Sequence, residues 1–189
     1  MRSELVSIQK ITELCKSLNL DQDIVYRKAE ILIDNYHDII WVDTEKAKSK
    51  YNVQETADQK DPNAALLYLA DLNPSGDKKN IRNDMFMLFE AQWLRELIDS
   101  VKEYVMTFSE DGSLYCDILD KELAQVRITA HARQKAIGAG KSSFYRKRKG
   151  AILLFGVSLW GILIPYWLKY YHLSECRAKA PPDIPNLKT

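Results

Sequence analysis

The chain contains few of the residues that mark several protein classes. Of its 189 residues, only three are cysteine, seven are glycine and six are proline. Three widely spaced cysteines exclude a disulfide framework and a CxxC metal site, and they suit a reducing compartment. The low glycine and proline content excludes collagen-like and linker-dominated chains. No long apolar stretch follows Met1, which predicts a cytoplasmic protein without a secretory signal.

Acidic residues are missing from one long segment. Residues 123–174 carry nine Lys and Arg and no Asp or Glu, a net charge of +9, whereas residues 1–122 carry 15 bases and 24 acids, a net charge of −9. A segment without carboxylates attracts polyanions such as nucleic acid or anionic lipid. The alternative is that the acidic part folds against the basic part and cancels its charge.

Strand patterns are also missing, because apolar residues do not alternate with polar ones. Apolar residues recur instead at helical spacing, which predicts an all-α helical bundle with a C-terminal helix-turn-helix. The predicted helices are 4–18, a second one from about residue 22 to 41, a short one at 64–71, a long one at 81–108 and a short one at 113–123. Asp21 or Asp23 can cap the second helix, Pro62 can open the third, and residues 43–61 form a polar connection.

Three parts of the chain follow from this pattern. Residues 1–108 are predicted to form an acidic helical body for interaction or dimerisation. Residues 109–173 form the DNA-binding part, and residues 174–189 form a flexible tail. We expect the body to contact RNA polymerase or a second copy of the chain, because two-fold DNA sites usually require dimers.

The acid-free segment contains a helix-turn-helix pattern. A helix is predicted over 130–137 and a short glycine-containing turn over 138–140. Ser142 or Ser143 can then cap a second helix from about Phe144. Two helices joined by such a turn are typical of a helix-turn-helix, whose second helix enters the DNA major groove.

The second helix divides into an apolar stripe and a cationic stripe. Phe144, Ala151 and Phe155 share the apolar stripe, and the stem of Arg148 can lie along its edge. Arg146 is the best candidate for a bidentate contact to guanine, because its planar fork matches two acceptors. The residues predicted to read bases are Ser142, Ser143, Tyr145 and Arg146. Those predicted to contact phosphates are Arg133, Lys135, Lys141, Lys147 and Lys149. A solvated basic helix face is the alternative interpretation.

The segment RQKAIGAGKSSFYRKRKGAILLFG, residues 133–156, resembles the C-terminal helix-turn-helix of ArpU-type (autolysin-regulator-like) phage transcriptional regulators. Those motifs are similar in turn to region four of sigma factors. The residues that match the family pattern are Ser142, Phe144, Tyr145, Arg146, Arg148, Ala151 and Ile152. The resemblance implies sequence-specific binding to double-stranded DNA and control of phage late or autolysin-type genes.

Signatures of catalysis and metal binding do not occur in the sequence. The run 138–143 is not a Walker motif, because Lys135 stands where that motif needs a glycine. His37, His131 and His172 lack metal-ligand spacing, and no nucleophile motif is recognisable. We therefore expect a protein that binds DNA, without enzyme activity, cofactor or metal.

The apolar run 150–168 leaves a second interpretation open. Its 19 residues carry no charge, and about 20 apolar residues suffice to cross a bilayer. The basic run 146–149 would then be the cytoplasmic flank of a tail-anchored, single-pass membrane protein. In the soluble interpretation the run packs into the core, and Pro165 marks the end of the extended second helix.

Overall fold

The computed structural model describes residues 2–42, 60–108, 110–124 and 141–173. Within these ranges the chain forms seven helices and no strand, so the predicted all-α class is confirmed. The first six are α1 Arg2–Ser17, α2 Gln22–Val42, α3 Pro62–Ala70, α4 Lys78–Leu88, α5 Ala91–Phe108 and α6 Gly112–Leu123. The seventh, α7, runs through three consecutive stretches, Lys141–Gly156, Val157–Leu163 and Ile164–Leu173, and the middle stretch is π-helical. Most of the predicted connection at 43–61, the helix at 130–137, the turn at 138–140 and the tail at 174–189 lie outside the described residues.

Two of the helix starts follow the capping residues that the sequence predicts. Asp21 caps α2, since its Oδ1 accepts hydrogen bonds from the backbone N–H of Asp23 at 2.9 Å and of Ile24 at 3.0 Å. Pro62 occupies the first turn of α3, where its missing N–H costs no helical hydrogen bond. The side chain of Asp61 caps that helix by accepting from the N–H of Asn63. Short polar side chains therefore set where these two helices begin.

The long helix predicted over 81–108 is wrong, because the chain leaves the helical conformation between α4 and α5. Phe89 is extended, at φ −94° and ψ 123°, and its ring is buried against Trp93 at a centroid distance of 5.7 Å. Lys60 Nζ donates to the carbonyl oxygens of Phe86 at 2.7 Å and Phe89 at 2.9 Å. The buried aromatic ring and the lysine together stabilise a break that contains neither proline nor glycine.

The core is organised around α7, which packs against α1, α2, α5 and α6. Every residue from Gly150 to Trp160 is buried. Buried side chains from all seven helices belong to one hydrophobic cluster that includes this stretch. The apolar run that the sequence left ambiguous is thus the centre of the bundle in this structure.

Pro165 does not end the helix, contrary to the sequence-based expectation, since α7 continues to Leu173. The π-helical stretch immediately precedes it, and the N–H of Ile164 donates to the carbonyl oxygen of Leu159, five residues back. A proline in an α-helix clashes with the carbonyl four residues before it. Because the wider π turn changes that local geometry, the helix accommodates the proline.

The same long helix holds the C-terminal end of α3. Trp160 Nε1 donates to the carbonyl oxygen of Leu69 at 2.7 Å, and Lys28 Nζ donates to that of Ala70 at 3.1 Å. Lys28 Nζ also lies 5.7 Å from the centroid of the Trp160 ring. Both carbonyls lie in the last turn of α3, and these bonds fix that end of α3 to α2 and α7.

Candidate nucleic-acid interface

The first turns of α7 carry an apolar face and a cationic face, as the sequence predicts. Phe144, Ala151 and Phe155 are buried against the bundle. On the other side Ser142, Tyr145, Arg146 and Lys149 are exposed. We call these four residues the cationic face. Their spacing of three, four and seven residues places them along one side of the helix.

Arg148 points away from the cationic face and into the protein. Its Nη2 donates to Glu122 Oε2 at 2.9 Å, and its Nη1 lies 3.6 Å from Glu30 Oε1. The Glu122 side chain is only 8% exposed, so this ion pair is largely shielded from solvent. Burial lowers the pKa of Arg148, but the hydrogen bond and the charge of Glu122 raise it above its ordinary value. Arg148 therefore joins α7 to α2 and α6, and it is not available to a ligand.

Tyr26 of α2 contacts both Arg148 and Lys149. Arg148 Nη1 lies 3.5 Å from the Tyr26 hydroxyl, and Lys149 Nζ lies 5.9 Å from the centroid of the Tyr26 ring. The hydroxyl itself donates to Glu30 Oε1 at 2.9 Å. Burial, followed by the hydrogen bond to Glu30, raises the pKa of Tyr26 to about 12, so the ring stays neutral at physiological pH. The π face can thus attract the Lys149 ammonium group.

The other residues predicted to contact DNA differ in their exposure to solvent and in their position along α7. Ser142 and Ser143 lie inside α7 and do not cap it, because Lys141 is already helical. Ser143 and Lys147 are half-buried and have contacts of their own. Tyr145 is 48% exposed, and its ring meets Phe144 edge-on at 5.6 Å. Arg133 and Lys135 lie outside the described residues.

Sequence reasoning did not find Tyr26, Glu30 and Glu122. Tyr26 lies 122 residues before Arg148 in the chain, and Glu122 lies 26 residues before it. No local spacing rule connects residues so far apart. The only available signal was the odd position of Arg148, a base on an otherwise apolar stripe, which calls for a buried acid.

The helix that carries the cationic face also has the length and composition of a membrane span. By these two criteria the stretch Ser142–Tyr170 could cross a bilayer, and 72% of its most apolar window is buried inside the protein. Core helices of soluble proteins meet the same criteria. The burial agrees with a core helix, although length and composition alone do not distinguish the two.

The described part of the chain offers no alternative centre of metal or thiol chemistry. Its His, Cys, Asp and Glu residues form no group of three that could hold a metal ion. Cys15 and Cys116 are buried, and burial raises the pKa of both thiols, which keeps them protonated.

Comparison of the chain with protein-family models, with curated proteins and with solved structures finds no match in any of the three.

Proposed function

We propose that this protein binds double-stranded DNA through the cationic face of α7 and acts as a transcriptional regulator. The observation that supports the proposal is the division of the basic run 146–149. Arg148 is tied inward to Glu122, whereas Arg146 and Lys149 remain exposed beside Tyr145.

The chemistry of the exposed residues suits a duplex. The major groove admits a single α-helix, and an arginine on that helix can donate to both acceptors of guanine. We assign this role to Arg146, with Tyr145, Ser142 and Ser143 beside it. Lys141, Lys147 and Lys149 then contact phosphates, together with Arg133 and Lys135 of the preceding segment. The mechanism is binding and positioning, without a chemical step.

The helix-turn-helix and its resemblance to ArpU-type regulators remain predictions, since the segment 130–140 lies outside the described residues. The acidic body is the part we assign to protein contacts, with RNA polymerase or a second copy as the partner. Its exposed carboxylates on α5 include Glu96, Asp99 and Glu103, which share one side of that helix.

Substitution of Arg146 by alanine tests the base-reading role. We expect Arg146→Ala to weaken binding to the specific DNA site by about 1–3 kcal/mol, because a bidentate contact to guanine is lost. The site is first found by footprinting of bound genomic fragments, and affinity is then measured by fluorescence anisotropy. Lys169→Ala is the matched control, an exposed base on the same helix, roughly 35 Å from Arg146 at the helical rise. Equal affinity of the two variants for the DNA site would show that Arg146 does not contact the DNA.

The membrane interpretation is the second candidate, and the composition of the stretch Ser142–Tyr170 favours it. In that case the basic run sets the orientation of a tail anchor. Fractionation of expressing cells separates the two candidates. Recovery of the full chain in the soluble fraction supports the DNA-binding proposal, and recovery only with detergent supports the membrane anchor.

A further inference from the structure

A groove of about 410 Å³ lies between α2 and the start of α4, in the part of the chain that is acidic overall. The charged residues that line it are Arg27, Glu30, Asp34, Lys78 and Arg82. The local balance differs from that of the body as a whole, because three of these five residues are basic. The lining of the groove therefore carries a small net positive charge within an acidic part of the chain.

The acids around this groove already face bases of the protein. Glu30 lies 3.6 Å from Arg148, and Arg82 Nη2 lies 2.6 Å from Asp38 Oδ2. Burial and the neighbouring Glu30 raise the pKa of Asp34, and the charges of Arg148 and Lys78 oppose that shift. Arg27 is exposed, and among the described residues no ion pair engages it. The acids of the groove thus leave Arg27 available to a partner.

Two exposed lysines lie at the beginning of α4, where they do not stabilise the helix. Lys78 and Lys79 occupy its first turn, next to the capping residue Asp77. The first turn of a helix carries a partial positive charge, so basic side chains are unfavourable there. Helix stability therefore does not account for this pair of bases.

The groove is continuous with the cationic face of α7. Lys149 Nζ lies 5.9 Å from the centroid of the Tyr26 ring, and the Tyr26 hydroxyl donates to Glu30 Oε1 at 2.9 Å. Glu30 connects the two regions, because it lines the groove and also contacts Arg148. Only Tyr26 and Glu30 therefore separate Lys149 from the groove.

We propose that Arg27, Lys78 and Lys79 form a second row of phosphate contacts, which extends the DNA interface from α7 onto the acidic body. The inference rests on the proposed DNA binding. Phosphates along both strands of a duplex present a charge about every 1.7 Å of helix axis, so a protein that seats one helix on DNA commonly meets the backbone with neighbouring elements. These contacts position the protein and read no sequence.

The test measures the salt dependence of binding to a short mixed-sequence DNA duplex with the full-length chain. The double variant Arg27→Ala/Lys78→Ala should weaken binding about tenfold or more and reduce the slope of log affinity against log salt by about 0.9 for each lost contact. The loss should be the same for specific and mixed sequences. The charge-conserving variant Arg27→Lys/Lys78→Arg should keep most of the slope. The matched control is Arg95→Ala/Lys169→Ala, which removes the same charge from two exposed bases outside the groove.

The outcomes separate this inference from the proposed function. If the groove variant binds both duplexes as well as the control variant while Arg146→Ala still binds the specific site poorly, the second row is wrong and DNA binding by α7 stands. If the unmodified protein ignores the duplex at low salt, both are wrong. All four alanine positions are exposed or at the surface of the groove, and a thermal unfolding curve for each variant verifies that the fold is retained.

Discussion

At the scale of single residues, the division between Arg148 and its neighbours decides what the basic run can do. The sequence predicted that Arg148 lies on the apolar stripe and that Tyr145, Arg146 and Lys149 lie on the other, and the structure agrees. The partners of Arg148 could not be predicted, because Glu122 and Glu30 come from helices that only the tertiary fold brings to α7. Helical periodicity reports which way a residue points, but not what it meets there.

The ion pair of Arg148 and Glu122 gives a stability prediction. Arg148→Met should lower the free energy of unfolding by about 3–5 kcal/mol, because it removes the basic partner of the largely buried Glu122 carboxylate. The double variant Arg148→Met/Glu122→Gln should regain much of that loss, since neither charge then remains. Urea unfolding of both variants and of Glu122→Gln completes the cycle. A single variant within 0.5 kcal/mol of the parent would show that the pair is open to solvent.

At the scale of helices, the sequence predicted where most elements lie and missed two features of the backbone. Apolar residues at 81, 85, 89, 93, 97 and 101 recur every four residues, so the periodic pattern continues across the break between α4 and α5. The break depends on the burial of Phe89 and on Lys60, and neither effect has a local sequence signal. The continuation of α7 past Pro165 was missed for a similar reason, because proline alone predicts a helix end.

The two glycines of α7 should respond differently to alanine. A Cβ on Gly156 would lie 2.7 Å from Val25 Cγ1 and 2.9 Å from the Val25 carbonyl oxygen, so the close approach of α2 to α7 needs a glycine there. We expect Gly156→Ala to destabilise the protein by about 1–3 kcal/mol through overpacking, despite the higher helix propensity of alanine.

Gly161→Ala is the matched control for this substitution. Its Cβ would meet the ends of the Leu18 and Leu20 side chains, at 2.8 and 2.7 Å, and these flexible groups can move aside. The loss in free energy of unfolding should therefore be clearly smaller. Equal losses in thermal or urea unfolding would contradict the assignment of a tight α2–α7 contact at Gly156.

At the scale of the whole molecule, an acidic body surrounds a helix whose first turns are basic. The net charges of −9 over residues 1–122 and +9 over residues 123–174 would cancel if the two parts simply neutralised each other. In the described residues this neutralisation is incomplete, because acids hold Arg148 whereas Arg146 and Lys149 are exposed. Composition predicted the asymmetry, but which bases stay exposed depends on how α7 packs against α2 and α6.

The most direct measurement is a titration of the full-length protein with a fluorescent DNA duplex at a series of salt concentrations. With some five phosphates neutralised, log affinity should fall against log salt with a slope of roughly −4 to −5. Anionic lipid vesicles at the same salt concentrations serve as the comparison, and DNA should be bound more tightly. No binding to the duplex at low salt, a slope near zero, or a preference for the vesicles would contradict DNA binding by the cationic face.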